Sequence, residues 1–365
     1  MGRPEFLQVI SEICSRRGWN IAKLSQDWIL RISDAEKKRT TNIFGYVFDV
    51  NPAAAAELCK EKAAAAQVLA LEGIAHIEHE VFLAAVNKQM KGFVPSSGVW
   101  PQLIDFAKKH DYNIVVKPLK GTGGNGVYKI ANQRDLEEAA HDIYSVEYGL
   151  AACPYVDIVD EFRVIWLGYP RLIYRKVRAS VVGDGTSTVQ QLAAQVLAEM
   201  DPNKVVYLAQ ALADGPLSRP EKAKRVPAKG ELVALQWKHN LGHGASPEVL
   251  SEDHSQRNDL IDLASRAVEA VGMKFCSVDI ISTADGGYRV MEVNCGVMMD
   301  SAIEQCPNGH ELATSIYEEA IETALYANSP KRGRGKENTD NPLNGYAIEE
   351  NAPPPKISTM KAMFT

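Results

Sequence analysis

Residues 277–294 carry oxygen-bearing side chains at a spacing that could bind a metal ion. The two ends of this segment have the alternating, β-branched character of strands, and the turn-forming pair Asp285–Gly286 lies between them. If that pair is a two-residue hairpin turn, Asp279 lies opposite Glu292. Asn294 is two residues further along and so shares their face. The spacing therefore predicts two carboxylates and an amide at one point of a sheet.

Two opposed carboxylates repel each other and destabilise a sheet unless positive charge neutralises them. A divalent cation would do so. Oxygen ligands without His or Cys favour a hard ion such as Mg²⁺, which is usually shared with substrate phosphates. The arrangement requires an even loop, because a three-residue loop would separate Asp279 from Glu292. The alternative is an amphipathic hairpin with solvent-facing acids; the apolar Val290 and Ile281, expected on the same face, argue against it.

A second chemical feature is a glycine-rich loop upstream. Its pattern matches G-x-G-x-x-G, but it is followed by the strand-like residues 127–130 and not by a helix, which disfavours a Rossmann nucleotide site. A loop between two strands, with Lys117 just before it, is instead typical of a flap that covers phosphates with backbone N–H groups. A plain glycine hairpin is the alternative. The predicted phosphate-binding residues are Gly121, Thr122, Gly123, Gly124, Asn125 and Gly126.

The composition is that of a globular protein large enough for two lobes. The chain has 365 residues, of which 45% are hydrophobic and 24% are charged. Its net charge of -6 argues against a nucleic-acid partner. No apolar run approaches the roughly 20 residues of a membrane span, so no membrane association is expected. The six cysteines occur singly, which predicts reduced thiols and a cytoplasmic location.

Apolar periodicity and turn residues divide the rest of the chain into helices and strands. The predicted helices cover residues 5–16, 53–71 behind an Asn51–Pro52 cap, 100–109, 135–144, 188–200 behind a Thr188–Gln191 capping box, 255–271 and 312–327. The predicted strands cover residues 113–117, 127–130, 155–159, 162–167, 172–177 and 231–237, besides the hairpin. Residues 89–96 are predicted to be a linker, and residues 329–365 a disordered tail.

A phosphate loop between strands, followed about 160 residues later by an Asp…Glu-x-Asn strand pair, resembles the ATP-grasp superfamily of carboxylate–amine ligases. Within it, residues 181–189, 226–230 and 240–244 look like the central domain of cyanophycin synthetases and of glutathione-forming ligases. The resemblance spans about residues 58–325. It implies an α+β fold, with two α+β lobes that hold ATP between antiparallel sheets. The expected domains are a short N-terminal α/β segment (1–57), the ATP-grasp domain (58–328) and the tail.

The resemblance also assigns roles to individual residues. It implies that Lys62 and Lys117 contact ATP and that Asn240 lies near the terminal phosphate. Glu161 would hold the ribose, and the segment with Cys153, Tyr155 and Val156 would hold the adenine, although relatives often have glutamate where this chain has Cys153. The metal ligands would be Asp279, Glu292 and Asn294. His239 and His243 flank the Asn240 loop; assistance to a nucleophile is one hypothesis, but they are interpreted as surface residues. Cys295 is expected on the core side of its strand.

The chemistry implied by the resemblance is phosphoryl transfer from Mg²⁺-bound ATP to a carboxylate, followed by attack of an amine. Arg163, with Lys176 or Arg178, would bind the acceptor carboxylate and stabilise the tetrahedral intermediate; Lys176 stands where relatives commonly have arginine. The products would be an amide, ADP and phosphate, and the substrates amino acids or peptides. A phosphotransferase and a non-catalytic nucleotide-binding regulator are the alternatives. The sequence leaves open whether the chain forms a homo-oligomer.

Overall fold

The predicted hairpin lies at one edge of a five-stranded antiparallel sheet. The structure is a computed structural model, and it describes residues 4–84, 99–121, 123–199, 217 and 219–327. The order of strands in this sheet is β13-β10-β9-β14-β15. Their bounds are β9 (Ile158–Leu167), β10 (Tyr169–Val177), β13 (Ser246–Val249), β14 (Phe275–Thr283) and β15 (Tyr288–Asn294). The sheet therefore brings the predicted catalytic strands, β9 and β10, beside the hairpin.

A four-stranded antiparallel sheet carries the glycine loop. Its order is β5-β8-β6-β7, with bounds β5 (Glu80–Leu83), β6 (Ile114–Pro118), β7 (Tyr128–Ile130) and β8 (Gly149–Pro154). Helices α4 (Trp100–Lys109) and α5 (Gln133–Tyr144) contribute Leu103 and Leu136 to the apolar core beneath this sheet. The glycine loop joins the antiparallel neighbours β6 and β7, as the sequence predicts.

A third sheet, in the order β1-β2-β3-β4, follows the first helix. Its strands are β1 (Asn20–Leu24), β2 (Ile29–Ser33), β3 (Thr40–Phe44) and β4 (Val47–Phe48), and α1 (Pro4–Arg17) precedes them. Apolar side chains of α1 pack in one core with the five-stranded sheet and with the last helix of the described chain. A small two-stranded sheet pairs β11 (Ser180–Val182) with β12 (Leu232–Ala234).

The remaining helices surround these sheets. They are α2 (Ala53–Lys60), α3 (Lys62–Leu71), α6 (Val189–Glu199), α7 (Pro220–Ala223), α8 (Arg257–Val271), α9 (Asp300–Gln305) and α10 (Gly309–Ala327). Helix α8 packs with α2 and α3 on one face of the five-stranded sheet. The described residues up to Ala327 form one compact unit. No helix among them combines the length and the apolar character needed to cross a bilayer.

Several sequence predictions need correction at this level. The helix predicted over 53–71 is interrupted at Glu61, whose backbone is extended, and Asn51 does not cap it. The Asn51 side chain instead accepts hydrogen bonds from the backbone N–H groups of Lys274 and Phe275, both at 2.8 Å. The strand predicted over 155–159 starts only at Ile158. The linker at 89–96, the end of the helix at residue 200 and the tail at 329–365 lie outside the described residues, and the domain boundaries remain predictions.

Candidate active site

The hairpin of β14 and β15 has the predicted pairing at its functional end but not the predicted turn. Asp279 lies opposite Glu292, and Asn294 lies opposite Ser277. The turn prediction was wrong: the backbone N–H of Thr283 donates to the carbonyl of Gly287 at 3.2 Å, which leaves a three-residue loop. A β-bulge restores the register, because Ile280 pairs with Val290 and Met291 is the extra residue. The extra residue in the loop and the extra residue in the strand compensate for each other, so the carboxylates of Asp279 and Glu292 still lie opposite each other.

The bulge also changes which apolar side chains share the site's face. Val290 packs with the core on the helix side of the sheet, so its predicted position was wrong. Met291 takes its place next to Ile281. Val290 is held there by a second segment, since its N–H donates to Ala75 and its carbonyl accepts from Ile77, both at 2.9 Å. The edge of β15 is thereby fixed at the residue before the bulge.

Asp279 is buried and surrounded by cations of the protein itself. Arg163 Nε donates to Oδ1 and Arg163 Nη2 to Oδ2, both at 2.7 Å, and Lys176 Nζ lies 3.1 Å from Oδ2. Asn294 Nδ2 lies 3.4 Å from the same oxygen. Burial by itself would raise the pKa of Asp279, but Arg163 and Lys176 outweigh it and lower the pKa to about 2. The carboxylate is therefore charged throughout the neutral range.

Lys176 extends this cluster to Glu161 on the neighbouring strand. Its Nζ donates to Glu161 Oε1, and both side chains are buried. Burial lowers the pKa of Lys176, yet Asp279 and Glu161 raise it overall. Burial raises the pKa of Glu161, and Lys176 offsets only part of that shift. Glu161 thus forms an ion pair with Lys176, within a cluster of two cations and two carboxylates. The contact of Glu161 with ribose remains a prediction.

Lys62 connects the hairpin to the glycine loop. Its Nζ donates to the carbonyl of Gly121 at 2.6 Å and lies 3.4 Å from Glu292 Oε1. The break at Glu61 makes Lys62 the first residue of α3, and its backbone N–H donates to Leu119 at the start of the loop. The interruption that the sequence did not predict is therefore what positions this lysine.

The glycine loop adopts conformations that require glycine. Gly123, Gly124 and Gly126 have φ values of +73°, +71° and +66°. A Cβ atom on Gly124 would lie 2.5 Å from Nδ2 of Asn240, which donates to the carbonyl of Gly123. Asn240 also accepts from the N–H of Gly242 at 2.8 Å, so its side chain joins two loops. Thr122 lies outside the described residues.

An apolar cluster lies where the two larger sheets meet. The residues predicted to hold adenine, Cys153, Tyr155 and Val156, contribute to it together with Ile281 of β14. Trp237 packs edge-to-face on Tyr155, with ring centroids 6.2 Å apart. The other members of this apolar cluster are Ile77, Val115, Val127, Ile158 and Met291. A surface of this kind suits a flat aromatic group.

The other predicted residues lie around these parts. Lys117 is buried in β6, and Arg178 follows the end of β10 half-buried. Cys295 is in the core on the helix side of the sheet, as expected. The predicted ligands fit Mg²⁺ by the chemistry of their oxygens, although Arg163, Lys176 and Lys62 already supply positive charge to the carboxylates. Within the described residues no group of three or more His, Cys, Asp and Glu side chains is arranged for a metal, and the predicted ligand set contains only two carboxylates besides Asn294.

His239 lies beside the candidate site, in contact with the backbone of Lys176. It was interpreted as a surface residue, which was wrong, since only 5% of it is exposed. Its Nδ1 lies 2.9 Å from the backbone oxygen of Lys176, and Nε2 is buried without a hydrogen-bond partner among the residues that the structure describes. The position of His239 directly before Asn240 was the signal available in the sequence. The side chain of His243 lies outside the described part of the chain.

Comparisons with known proteins place this fold. No family model matches the chain. The cyanophycin synthetase of Trichormus variabilis is 28% identical over 182 residues, which is 47% of this chain and 20% of that protein. The cyanophycin synthetase of Synechocystis sp. is 28% identical over 204 residues, 52% of this chain and 22% of that protein. The chain therefore spans about a fifth of the length of the curated relatives that it matches.

A solved structure resembles the chain over a larger part of its length. The bifunctional glutathione synthetase from Pasteurella multocida superposes with a TM-score of 0.51 and 17% identity. The superposition covers 86% of this chain and 44% of the glutathione synthetase chain. At this identity the likeness concerns the fold. Together with the antiparallel sheets, it confirms the predicted fold class, and the chain is similar in sequence and in architecture to the ATP-grasp carboxylate–amine ligases.

Proposed function

We propose that the protein is an ATP-dependent ligase that joins a carboxylate to an amine through an acyl phosphate, with an amide, ADP and phosphate as products. One observation carries the proposal. Lys62 contacts both the glycine loop, at Gly121, and the carboxylate of Glu292, which lies opposite Asp279. The parts proposed to bind phosphate and metal are therefore adjacent, as phosphoryl transfer requires.

The positions of the residues suggest which part of the substrates each of them would contact. The apolar cluster with Tyr155 and Val156 would hold the adenine, while Lys62, Lys117 and the glycine-loop N–H groups would neutralise the polyphosphate. Arg163 is bound to Asp279, so we assign it first to holding that carboxylate in place. Lys176 is likewise paired, with Asp279 and Glu161, whereas Arg178 follows the end of β10 half-buried. Arg178, with the positive charge of Lys176 nearby, would bind the acceptor carboxylate.

Asp279, Glu292 and Asn294 would hold Mg²⁺, with Asn294 turned so that its amide oxygen faces the ion. The ion would supply Lewis-acid stabilisation of the transferring phosphoryl group. Amino acids or short peptides are the proposed substrates, without a nucleic-acid or membrane partner. The cysteines are buried free thiols, which is typical of a reducing compartment, so we place the protein in the cytoplasm.

Glutamine substitution at Glu292 tests the function. The protein is incubated with Mg·ATP and a panel of amino acids and short peptides, ADP and phosphate are measured, and products are identified by mass. We expect Glu292→Gln to lower ADP formation by about 100-fold or more, because one preorganised charge at the phosphoryl group is lost. Glu57→Gln is the matched control, since Glu57 is an exposed helix residue paired with Lys60, and it should not change the rate.

Each outcome of this experiment is informative. Unchanged ADP formation by Glu292→Gln, with normal thermal unfolding, would contradict the site. A phosphorylated product without an amide would favour the phosphotransferase. Stabilisation of the wild-type protein by Mg·ATP without any ADP would favour a regulator.

A further inference from the structure

His239 is a buried imidazole whose second nitrogen has no partner. Its exposed fraction is 5%, and Nε2 makes no hydrogen bond in the described structure. Nδ1 lies 2.9 Å from the carbonyl oxygen of Lys176, which can only accept, so Nδ1 carries the proton. In the neutral ring Nε2 is then an acceptor with a free lone pair. Leaving such a group buried costs free energy unless a ligand meets it.

The contact of Nδ1 and the contacts of its chain neighbours place His239 in the molecule. The preceding Trp237 packs on Tyr155 in the apolar cluster, and the following Asn240 contacts the glycine loop. The carbonyl that holds Nδ1 belongs to Lys176, whose side chain reaches Asp279. His239 therefore lies among the proposed nucleotide and acceptor residues and not on a separate surface.

Burial, assisted by nearby cations, keeps this imidazole neutral. Burial lowers its pKa most, the hydrogen bond to Lys176 opposes that shift, and the cations of Arg178 and Lys176 lower it further, to about 4. Asp160 on β9 acts in the opposite direction. The lone pair on Nε2 is therefore available at neutral pH, and an anionic acyl phosphate beside it would increase its basicity.

We propose that His239 is a catalytic base that accepts a proton from the incoming amine; this inference rests on the proposed ligase function. The amine arrives as an ammonium ion and transfers one proton to Nε2. Its nitrogen lone pair then forms the C–N bond with the acyl phosphate, and the C–O bond to phosphate breaks. The second nitrogen-bound proton leaves with the phosphate as HPO₄²⁻. His239 returns its proton to solvent.

The test separates base catalysis from nucleotide binding. His239→Asn keeps an N–H that can reach the Lys176 carbonyl but has no basic nitrogen. If His239→Asn does not fold, His239→Gln replaces it in the experiment. Hydroxylamine is a useful second acceptor, because its nitrogen is largely unprotonated at neutral pH. We expect about a 100-fold loss of amide formation with amino-acid acceptors, near-normal hydroxamate formation and an unchanged KM for ATP. The matched control is His254→Asn, since His254 is exposed and lies outside the site.

Four results would overturn the proposal. Equal losses of amide and hydroxamate would indicate a structural role, and a raised KM for ATP would indicate a nucleotide contact. Histidine ¹⁵N NMR of the full chain, with the signal assigned through His239→Asn, should show a proton on Nδ1, and a proton on Nε2 would exclude a base. If the wild-type protein forms neither product nor ADP, the ligase function itself fails and the catalytic role fails with it, whatever the tautomer.

Discussion

Asp279 shows how the charge balance of the site is built from distant residues. The sequence predicts two opposed carboxylates that need a cation, and it assigns that role to a metal ion. In the structure Arg163 and Lys176 provide positive charge first, from strands more than 100 residues away in the chain. A buried carboxylate with a bidentate arginine is firmly oriented, because breaking such a pair leaves an uncompensated charge in the interior.

Removal of the Arg163 side chain should therefore destabilise the whole protein. We expect Arg163→Leu to lower the free energy of unfolding by about 3 kcal/mol, because Lys176 alone would remain to pair with the buried Asp279. Urea denaturation measures this change. Arg134→Leu is the matched control: Arg134 pairs with Glu138 on an exposed helix face, and its loss should have no measurable effect. Equal stabilities of the two variants would contradict this account of Asp279.

The hairpin of β14 and β15 is the element that determines whether a site exists. A three-residue loop would, by itself, move Asp279 and Glu292 out of register, and the bulge at Met291 compensates for it. The loop ends with Gly286 at φ +80°, the left-handed conformation that completes a three-residue hairpin loop. Neither feature can be assigned from the pair Asp285–Gly286, because that pair suits two-residue and three-residue loops equally.

A pair of alanine substitutions tests this loop. Gly286→Ala should lower the free energy of unfolding by about 1 kcal/mol, because a side chain is strained at positive φ although the space around it is open. Gly287→Ala should be nearly neutral, since Gly287 lacks a positive φ and a Cβ atom there would lie 3.4 Å from Asp285 Oδ1 and 4.0 Å from Thr283 Oγ1. Chemical denaturation distinguishes the two. If Gly287→Ala were the more damaging variant, the assignment of the left-handed position to Gly286 would be contradicted.

At the scale of the whole molecule, the two ends of the described chain share one core. Phe6 of α1 packs edge-to-face on Tyr317 of α10, with centroids 5.1 Å apart. Phe275 of β14 joins the same cluster through Phe48. The strand that carries Asp279 is thus supported by residues that precede position 58, where the sequence predicts a domain boundary. Packing of this kind couples the N-terminal segment to the stability of the site.

Truncation of Phe6 tests that coupling. Phe6→Ala should lower the free energy of unfolding by about 3–5 kcal/mol, because Phe6 is fully buried and the change leaves a cavity. Phe44→Ala should have a much smaller effect, as Phe44 is 57% exposed. Loss of secondary structure and loss of ADP formation should follow one denaturation curve in both variants. Two separate transitions would show that the N-terminal segment folds independently of the site.

The sequence by itself determined the parts whose signals are local. Alternating strands, the glycine loop between β6 and β7 and the Thr188–Gln191 capping box all follow from residues close together in the chain. The resemblance of the sequence motifs to the ATP-grasp superfamily then predicted the fold. Local patterns carry this much because backbone conformation and strand periodicity depend on near neighbours.

Only the tertiary structure decided the rest. The ion pairs of Arg163 and Lys176 with Asp279, the contact of Lys62 with Gly121 and the burial of His239 join residues that are remote in sequence. The helix break at Glu61 and the bulge at Met291 arise because the chain must meet partners elsewhere, which a local pattern does not encode. Long-range packing thus selected the protonation states and the register that this site uses.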